Sequence, residues 1–215
     1  SGCWWDGDFS VNCSSRGISA VPEDLPQTAL TADFSYNNIK TFTCGRSEDW
    51  MLKHLNLSNN LISEVSLTTC RNLPLLETLN LNGNAIQALT LDLPTPQKDG
   101  RVDRLLPALK VLSVERNHLS RVPRGLGLLQ SLQTLRLSSN GIQQVGLRDF
   151  QNCSQLKDIE LQNNKITEIH PDAFRDLHKL QVLDLRENAL ATPLPQLLIT
   201  LNFFRLEVGL ANNAW

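Results

Sequence analysis

The sequence has little of what most function classes require. Its 215 residues include four histidines, one methionine and one tyrosine, and 20 Lys+Arg stand against 22 Asp+Glu for a formal net charge of −2. A chain so balanced has no excess of positive charge to hold a polyanion, so nucleic acid is not an expected partner. With 41% hydrophobic residues it is also too apolar to be disordered. No run approaches the roughly 18 consecutive apolar residues of a membrane span. The opening "SGCWWDGDF" lacks the charged and apolar regions of a signal peptide, so the chain reads as a mature, soluble piece. There is no G-x-S-x-G, no phosphate-cradling glycine loop and no H-E-x-x-H, which argues against an enzyme. The five cysteines, spaced by 10, 31, 26 and 83 residues, fit no zinc motif, and His54, His118, His170 and His178 recur at unrelated places. Neither a metal nor another cofactor is expected.

Repetition is what the sequence does have. In "LKHLNLSNNLISEV", with Leu52 as position 1, Leu55, Leu57, Asn60, Ile62 and Val65 fall at positions 4, 6, 9, 11 and 14, and the template fits eight times. Position 9 is Asn37, Asn60, Asn84, Asn117, Asn140, Asn164, Asn188 and Asn213, at intervals of 23, 24, 33, 23, 24, 24 and 25 residues. Position 6 is apolar from Phe34 to Leu210, and position 11 from Ile39 to Trp215. The Asn140-Gly141 pair alone would signal a hairpin, but the long period overrules it.

Such a period describes a coil of chain stacked on its neighbours. Positions 3 to 5 form a short strand paired in parallel with the adjacent coils at roughly 4.8 Å. Positions 1, 4, 6, 11, 14, 19 and 22 point inward, each contributing about 1.5–3 kcal/mol when fully buried. Only a neighbouring coil can cover them, so the fold is a nearest-neighbour stack. Where the chain leaves the strand, backbone groups lose their ladder partners, and an Asn amide, both donor and acceptor, can bridge adjacent coils.

With this pattern over residues 29–215, the chain resembles extracellular leucine-rich-repeat proteins. The resemblance implies an α/β solenoid, a right-handed horseshoe with a parallel concave sheet, an irregular convex side and a disulfide-bonded N-terminal cap. Residues 1–28, "CWWDGDFSVNCSSRGISAVPEDLP" within them, resemble the cysteine-bearing cap. The common cap has four cysteines with a Cys-x-Cys pair, whereas Cys3 and Cys13 stand alone here, as in caps of Toll-like receptors and their relatives. Residues 29–204 are then seven repeats, and residues 205–215 a last strand and the start of a truncated C-terminal cap. There "VGLANNAW" resembles "LxLxxNPW", with Ala214 in place of the proline.

The resemblance implies a Cys3–Cys13 staple in the cap. Cys44 and Cys70 fall at positions 16 and 19 of adjacent repeats, where either a bridge or two buried thiols fits. Cys153 replaces the position-22 leucine of Leu73 and Leu177 and reads as a buried free thiol. Asn12-Cys13-Ser14, Asn56-Leu57-Ser58 and Asn152-Cys153-Ser154 match the N-glycosylation pattern. With the cap they favour an extracellular or cell-surface protein, the ectodomain of a single-pass membrane protein whose span lies outside this chain.

Function is expected on the strand face, whose outward positions are 2, 3, 5, 7 and 8. These carry eight acids (Asp33, Glu77, Glu115, Asp158, Glu160, Asp184, Glu187, Glu207) and six bases (Lys53, Lys110, Arg116, Arg136, Lys157, Arg186). A mixed face suits a protein partner. The candidate contact residues are Lys110, Glu115, Arg116, Arg136, Asp158, Glu160, Asp184 and Arg186, and the bland alternative is solvated residues pairing across strands. The insertion "LTLDLPTPQKDGRVDRLLP", with Pro94, Pro96 and Gly100, reads as a tolerated loop or a contact loop. Trp4 and Trp5 are expected to cover the open end of the first coil, and Trp50 to pack on the convex side. The leading reading is a protein-binding adhesion or receptor module. A secreted matrix protein of the small leucine-rich-proteoglycan type and an innate-immune receptor of the Toll-like kind are the alternatives.

Overall fold

Each "LxxLxL" segment becomes a strand of three residues with its leucines turned inward. The computed structural model describes residues 2–6, 9–44, 48–92, 104–191 and 206–215. Most of the insertion, from 93 to 103, and the boundary at 204 and 205 lie outside the described residues. In chain order the strands are Trp4–Asp6 (β1), Ser10–Asn12 (β2), Thr31–Asp33 (β3), His54–Asn56 (β4), Glu64–Ser66 (β5), Thr78–Asn80 (β6) and Ala88–Thr90 (β7). They continue with Val111–Ser113 (β8), Thr134–Arg136 (β9), Gln144–Val145 (β10), Asp158–Glu160 (β11), Glu168–Ile169 (β12), Val182–Asp184 (β13) and Glu207–Gly209 (β14).

Ten of them make one sheet in the order β1-β2-β3-β4-β6-β8-β9-β11-β13-β14. From β2 onward every pair is parallel, and position 3 of one coil meets position 3 of the next, as in Thr134↔Asp158↔Val182↔Glu207. The hairpin signal at Asn140-Gly141 is overruled as expected: the Gly141 N–H donates to Leu119 O of the preceding coil at 2.8 Å. The opposite side of the coils is mostly irregular, relieved by the parallel pairs β5·β7 and β10·β12 and by short 3-10 turns at Leu67–Thr69 and Leu126–Leu128.

The core is the column of inward positions. Phe34, Leu57, Leu81, Val114, Leu137, Leu161 and Leu185 at position 6 are all 0% exposed. Beneath them Phe150 and Phe174, at position 19 of adjacent coils, stack with centroids 5.4 Å apart. Cys70 takes that position in the second coil and bonds to Cys44 (Cα–Cα 4.6 Å), which resolves the open choice in favour of the bridge. Cys3 and Cys13 are bonded as the cap implied (Cα–Cα 4.4 Å). Cys153 is free and buried, and desolvation pushes its thiol up to about 12, so it is no nucleophile at neutral pH.

The asparagines do what the pattern required of them. Asn164 Nδ2 donates to Leu137 O of the preceding coil and Leu161 O of its own, both at 3.0 Å, and its Oδ1 accepts the Ile142 N–H at 3.1 Å. The same three bonds recur at Asn60, Asn84, Asn140, Asn188 and Asn213. Asn37 makes the first rung against the cap, donating to Cys13 O and accepting from Arg16 and Ile18 N–H.

Two findings depart from the sequence reading. Position 8 is left-handed in every coil: Tyr36 (φ 57°), Asn59 (56°), Gly83 (68°), Arg116 (53°), Ser139 (57°), Asn163 (54°), Glu187 (57°) and Asn212 (58°). The chain must reverse out of the strand there, and the ladder asparagine one residue later holds it in that strained turn. The second departure is a correction. Trp4 and Trp5 do not cover the first coil but stand 67% and 48% exposed. The reason is topological: β1 folds back antiparallel on β2 as the outermost strand, and Val11, Cys13 and Leu25 of the cap fill the coil's interior instead. Trp50 is buried as expected, walling a cavity of about 130 Å³ with Val21, Phe42 and Cys44 on the side away from the strands.

Candidate functional site on the strand face

Rows of equivalent positions cross the exposed face of the sheet, and the row at position 5 changes character along the molecule. In the first three coils it is Asp33, Asn56 and Asn80. Each turns its side-chain oxygen back on its own coil, accepting the N–H two residues on: Ser35 at 2.9 Å, Ser58 at 2.9 Å and Asn82 at 3.0 Å. These short side chains extend the backbone's own hydrogen bonding. At the fourth coil Asn82 takes over, its Oδ1 accepting from Ser113 Oγ and the Glu115 N–H, both at 2.7 Å.

Farther along, the row is Ser113↔Arg136↔Glu160↔Asp184. Arg136 Nε lies 2.9 Å from Glu160 Oε2 across the β9–β11 gap. It lies off the line of the N–H, so the contact is an ion pair and the oxygen still lacks a donor. Asp184 is held within its own coil by Arg186, whose Nη2 approaches Oδ2 to 2.6 Å and whose Nε donates to Oδ1 at 2.9 Å. Burial raises the Asp184 carboxyl, but the side-chain and backbone hydrogen bonds from Arg186, with its charge, outweigh it and keep the group below the usual range. Glu160 goes the other way. Burial raises it and Asp158 adds to the rise, against the opposing pull of Arg136. Burial likewise raises Asp158, opposed by Arg136 and reinforced by Asp184 and Glu207. Asp158 Oδ1, Glu160 Oε2 and Gln162 Oε1, at positions 3, 5 and 7 of one coil, are buried acceptors without a hydrogen-bond donor.

Of the eight residues named from sequence, the structure gathers Arg136, Asp158, Glu160, Asp184 and Arg186 into one patch over β9, β11 and β13. Lys110 stands apart at the start of β8, 3.2 Å from Glu77 Oε1, a contact that holds the Glu77 carboxyl below its usual range. Glu115 is tied through its backbone to Asn82, and Arg116 sits exposed on the left-handed rim. Sequence reasoning overlooked Gln162, a neutral side chain that a search for charge passes by. It also did not distinguish the acids that serve the fold, Asp33 above all, from those that do not. Of the three sequon asparagines, Asn12 and Asn152 are exposed, whereas Asn56 is half-buried within the position-5 row.

Comparison with known proteins agrees with this architecture. The leucine rich repeat family model matches residues 130–190, and a two-copy leucine rich repeat model matches residues 50–94. Leucine-rich repeat-containing protein 66 of Homo sapiens is 48% identical over 224 residues, covering 100% of this chain and 25% of its own. A Danio rerio protein named transforming growth factor beta activator LRRC33 is 32% identical over 180 residues, with 83% of this chain and 25% of its own covered. The crystal structure of human 5T4, a trophoblast glycoprotein, superposes with a TM-score of 0.78 at 22% identity over 99% of this chain and 80% of its own, a likeness of fold alone. The chain spans about a quarter of the length of the curated relatives it matches. Strand register, asparagine ladder, stapled cap and these matches together place the chain in the leucine-rich-repeat family, among repeat proteins of the extracellular type.

Proposed function

We propose that the chain is a non-enzymatic recognition module on the outside of the cell, part of an adhesion or receptor protein, and that it binds a protein partner through the strand face of its fourth to seventh coils. The observation that carries this reading is the Arg136–Glu160–Asp184 row. It places an inter-strand ion pair where the first three coils carry side chains that serve their own backbone. Arg136 and Glu160 keep 47% and 25% of their side chains exposed, so a partner's charged groups can reach that pair and form charge-assisted hydrogen bonds. Three of the six bases on the face, Lys110, Arg136 and Arg186, already lie against acids, which disfavours a polyanion. The two disulfides favour an oxidising compartment.

The test is a screen of the intact ectodomain against extracellular proteins, followed by charge reversal in any partner found. Glu160→Lys and Arg136→Glu should each weaken binding by about 2–5 kcal/mol without changing the fold. New sequons on the exposed positions of β9 and β11 should block the partner, and sequons on the convex side beside Asn152 should not. Convex glycans, or deletion of residues 94–104, that abolish binding while strand-face glycans leave it intact would move the site to the outer edge.

A further inference from the structure

Trp4 is the most exposed of the large hydrophobic residues described, at 67%, and neither the core nor the proposed partner face uses it. Its position is specific. β1 pairs antiparallel with β2, and Trp4 stands directly opposite Asn12, which in turn pairs with Asp33. Residues directly opposite share a face of the sheet, so Trp4 heads the position-5 row on the concave side. Asn12 begins an Asn-Cys-Ser sequon and is exposed. Its Oδ1 accepts hydrogen bonds from the Ser14 N–H at 2.9 Å and Ser14 Oγ at 2.6 Å. Among the described residues its Nδ2 makes no hydrogen bond. The Cys3–Cys13 bond joins the residues next to both and fixes the pair in register.

We infer that Asn12 is an N-glycosylation site whose first N-acetylglucosamine lies against the Trp4 indole, covering the open end of the sheet. Opposite residues have Cβ atoms about 4.5–5.5 Å apart, so a sugar ring joined to Nδ2 falls within the span of the indole. A pyranose has one face of C–H groups that carry slight positive charge, and these suit the electron-rich face of an indole. The transfer itself uses a lipid-linked oligosaccharyl diphosphate. The Asn12 amide nitrogen bonds to the anomeric carbon, the carbon–oxygen bond to the diphosphate breaks, the lipid diphosphate leaves and the amide proton passes to a base. Closing the disulfide afterwards brings the glycosylated strand beside Trp4. An exposed tryptophan at a sheet edge is an aggregation liability, and a carbohydrate cover removes it. Asn152, exposed on the convex side with φ 64°, is the comparison site.

This inference rests on the extracellular compartment proposed above and not on the partner face. The test uses the full-length protein made in mammalian cells. Glycopeptide mass spectrometry should find Asn12 occupied. Release of its glycan from the native protein by an amidase should be about two- to tenfold slower in the unmutated protein than in Trp4→Ala, with release from Asn152 the same in both. Trp4→Phe should fall between. In the unmutated protein the ring protons of the Asn12-linked sugar should be shifted upfield by the indole. An unoccupied Asn12 overturns the inference: with Asn152 occupied, the site alone is wrong, and with every sequon empty the compartment is wrong too. Equal release rates, or sugar protons at their free-chain positions, overturn it as well.

Discussion

The first three coils and the fifth to seventh share one backbone register but use it differently. Asp33, Asn56 and Asn80 fold back to accept their own coil's N–H groups, whereas Arg136 and Glu160 reach across to each other. Asp184 stays with its own coil like the early residues, accepting from the Arg186 N–H at 3.1 Å and from its guanidinium. A residue at position 5 can therefore complete the turn or present charge. Position 5 completes the turn in the first three coils and carries an inter-strand ion pair in the fifth and sixth, on a backbone that repeats almost unchanged.

What both halves need should be equally costly to lose in either. Asn60→Leu and Asn164→Leu each leave one N–H, of Ile39 or Ile142, without its buried partner, and each takes one of two donors from two carbonyls that keep a neighbouring asparagine's. At about 1–3 kcal/mol for an unsatisfied buried group, both variants should lose about 1–3 kcal/mol in chemical denaturation. A large inequality would mean that the ladder does not carry equal weight along the stack.

The next effect should differ between halves. Asn56→Ala leaves the Ser58 N–H without its acceptor and should lose about 1 kcal/mol. Arg136→Ala breaks an ion pair whose arginine is 47% and glutamate 25% exposed, and with solvent screening should change stability by about 0.5 kcal/mol or less. Equal losses would erase the distinction between the two uses of position 5.

Protonation separates the carboxyls within the later coils. Asp158 and Glu160 have carboxyls raised above the values 3.8 and 4.5 of the free groups. A group raised on folding takes up its proton more readily in the folded state. Its charge therefore opposes folding above the raised value, and that penalty is relieved as pH falls toward the free-chain value. Asp184 is lowered, so its contribution is present above 3.8 and is lost as pH falls through the lower, folded value. Asp158→Asn should accordingly stabilise the protein slightly near neutral pH, by about 0.5 kcal/mol or less once solvent screening is allowed for. The gain should shrink as pH falls through the window above 3.8. Melting curves of the two proteins across that range give the check, and a gain that grows on acidification would reverse the assignment.

A further effect concerns the rim. Tyr36 holds a left-handed φ of 57° with an exposed side chain. Tyr36→Asn should raise stability by about 0.5–1 kcal/mol, since asparagine tolerates that conformation better. A loss would mean that the tyrosine ring contributes packing that its exposure does not suggest.

The strands, the ladder and the inward columns were legible in sequence because each is set by side-chain chemistry repeated at a fixed period. The Arg136–Glu160 pair was legible in principle, since both stand at position 5 of adjacent coils. What the period could not show was set by backbone and topology. The left-handed turn at position 8 accepts Tyr36, Arg116 and Glu187 as well as asparagine or glycine, so no residue type marks it. The exposure of Trp4 depends on β1 running antiparallel, outside the repeat altogether. The contrast between Asp33, bent to its own backbone, and Glu160, left without a donor, depends on one methylene of side-chain length, which a count of charges does not register.

The most direct test compares one residue from each half in a single binding assay. With a captured extracellular partner, affinities are measured for the unmutated ectodomain, Asn56→Ser and Glu160→Lys, all three shown to be folded by their melting curves. The account predicts that Asn56→Ser binds within about twofold of the unmutated protein, whereas Glu160→Lys loses at least about thirtyfold, the equivalent of 2 kcal/mol. Undiminished binding by Glu160→Lys, or an equal loss from Asn56→Ser, would contradict it.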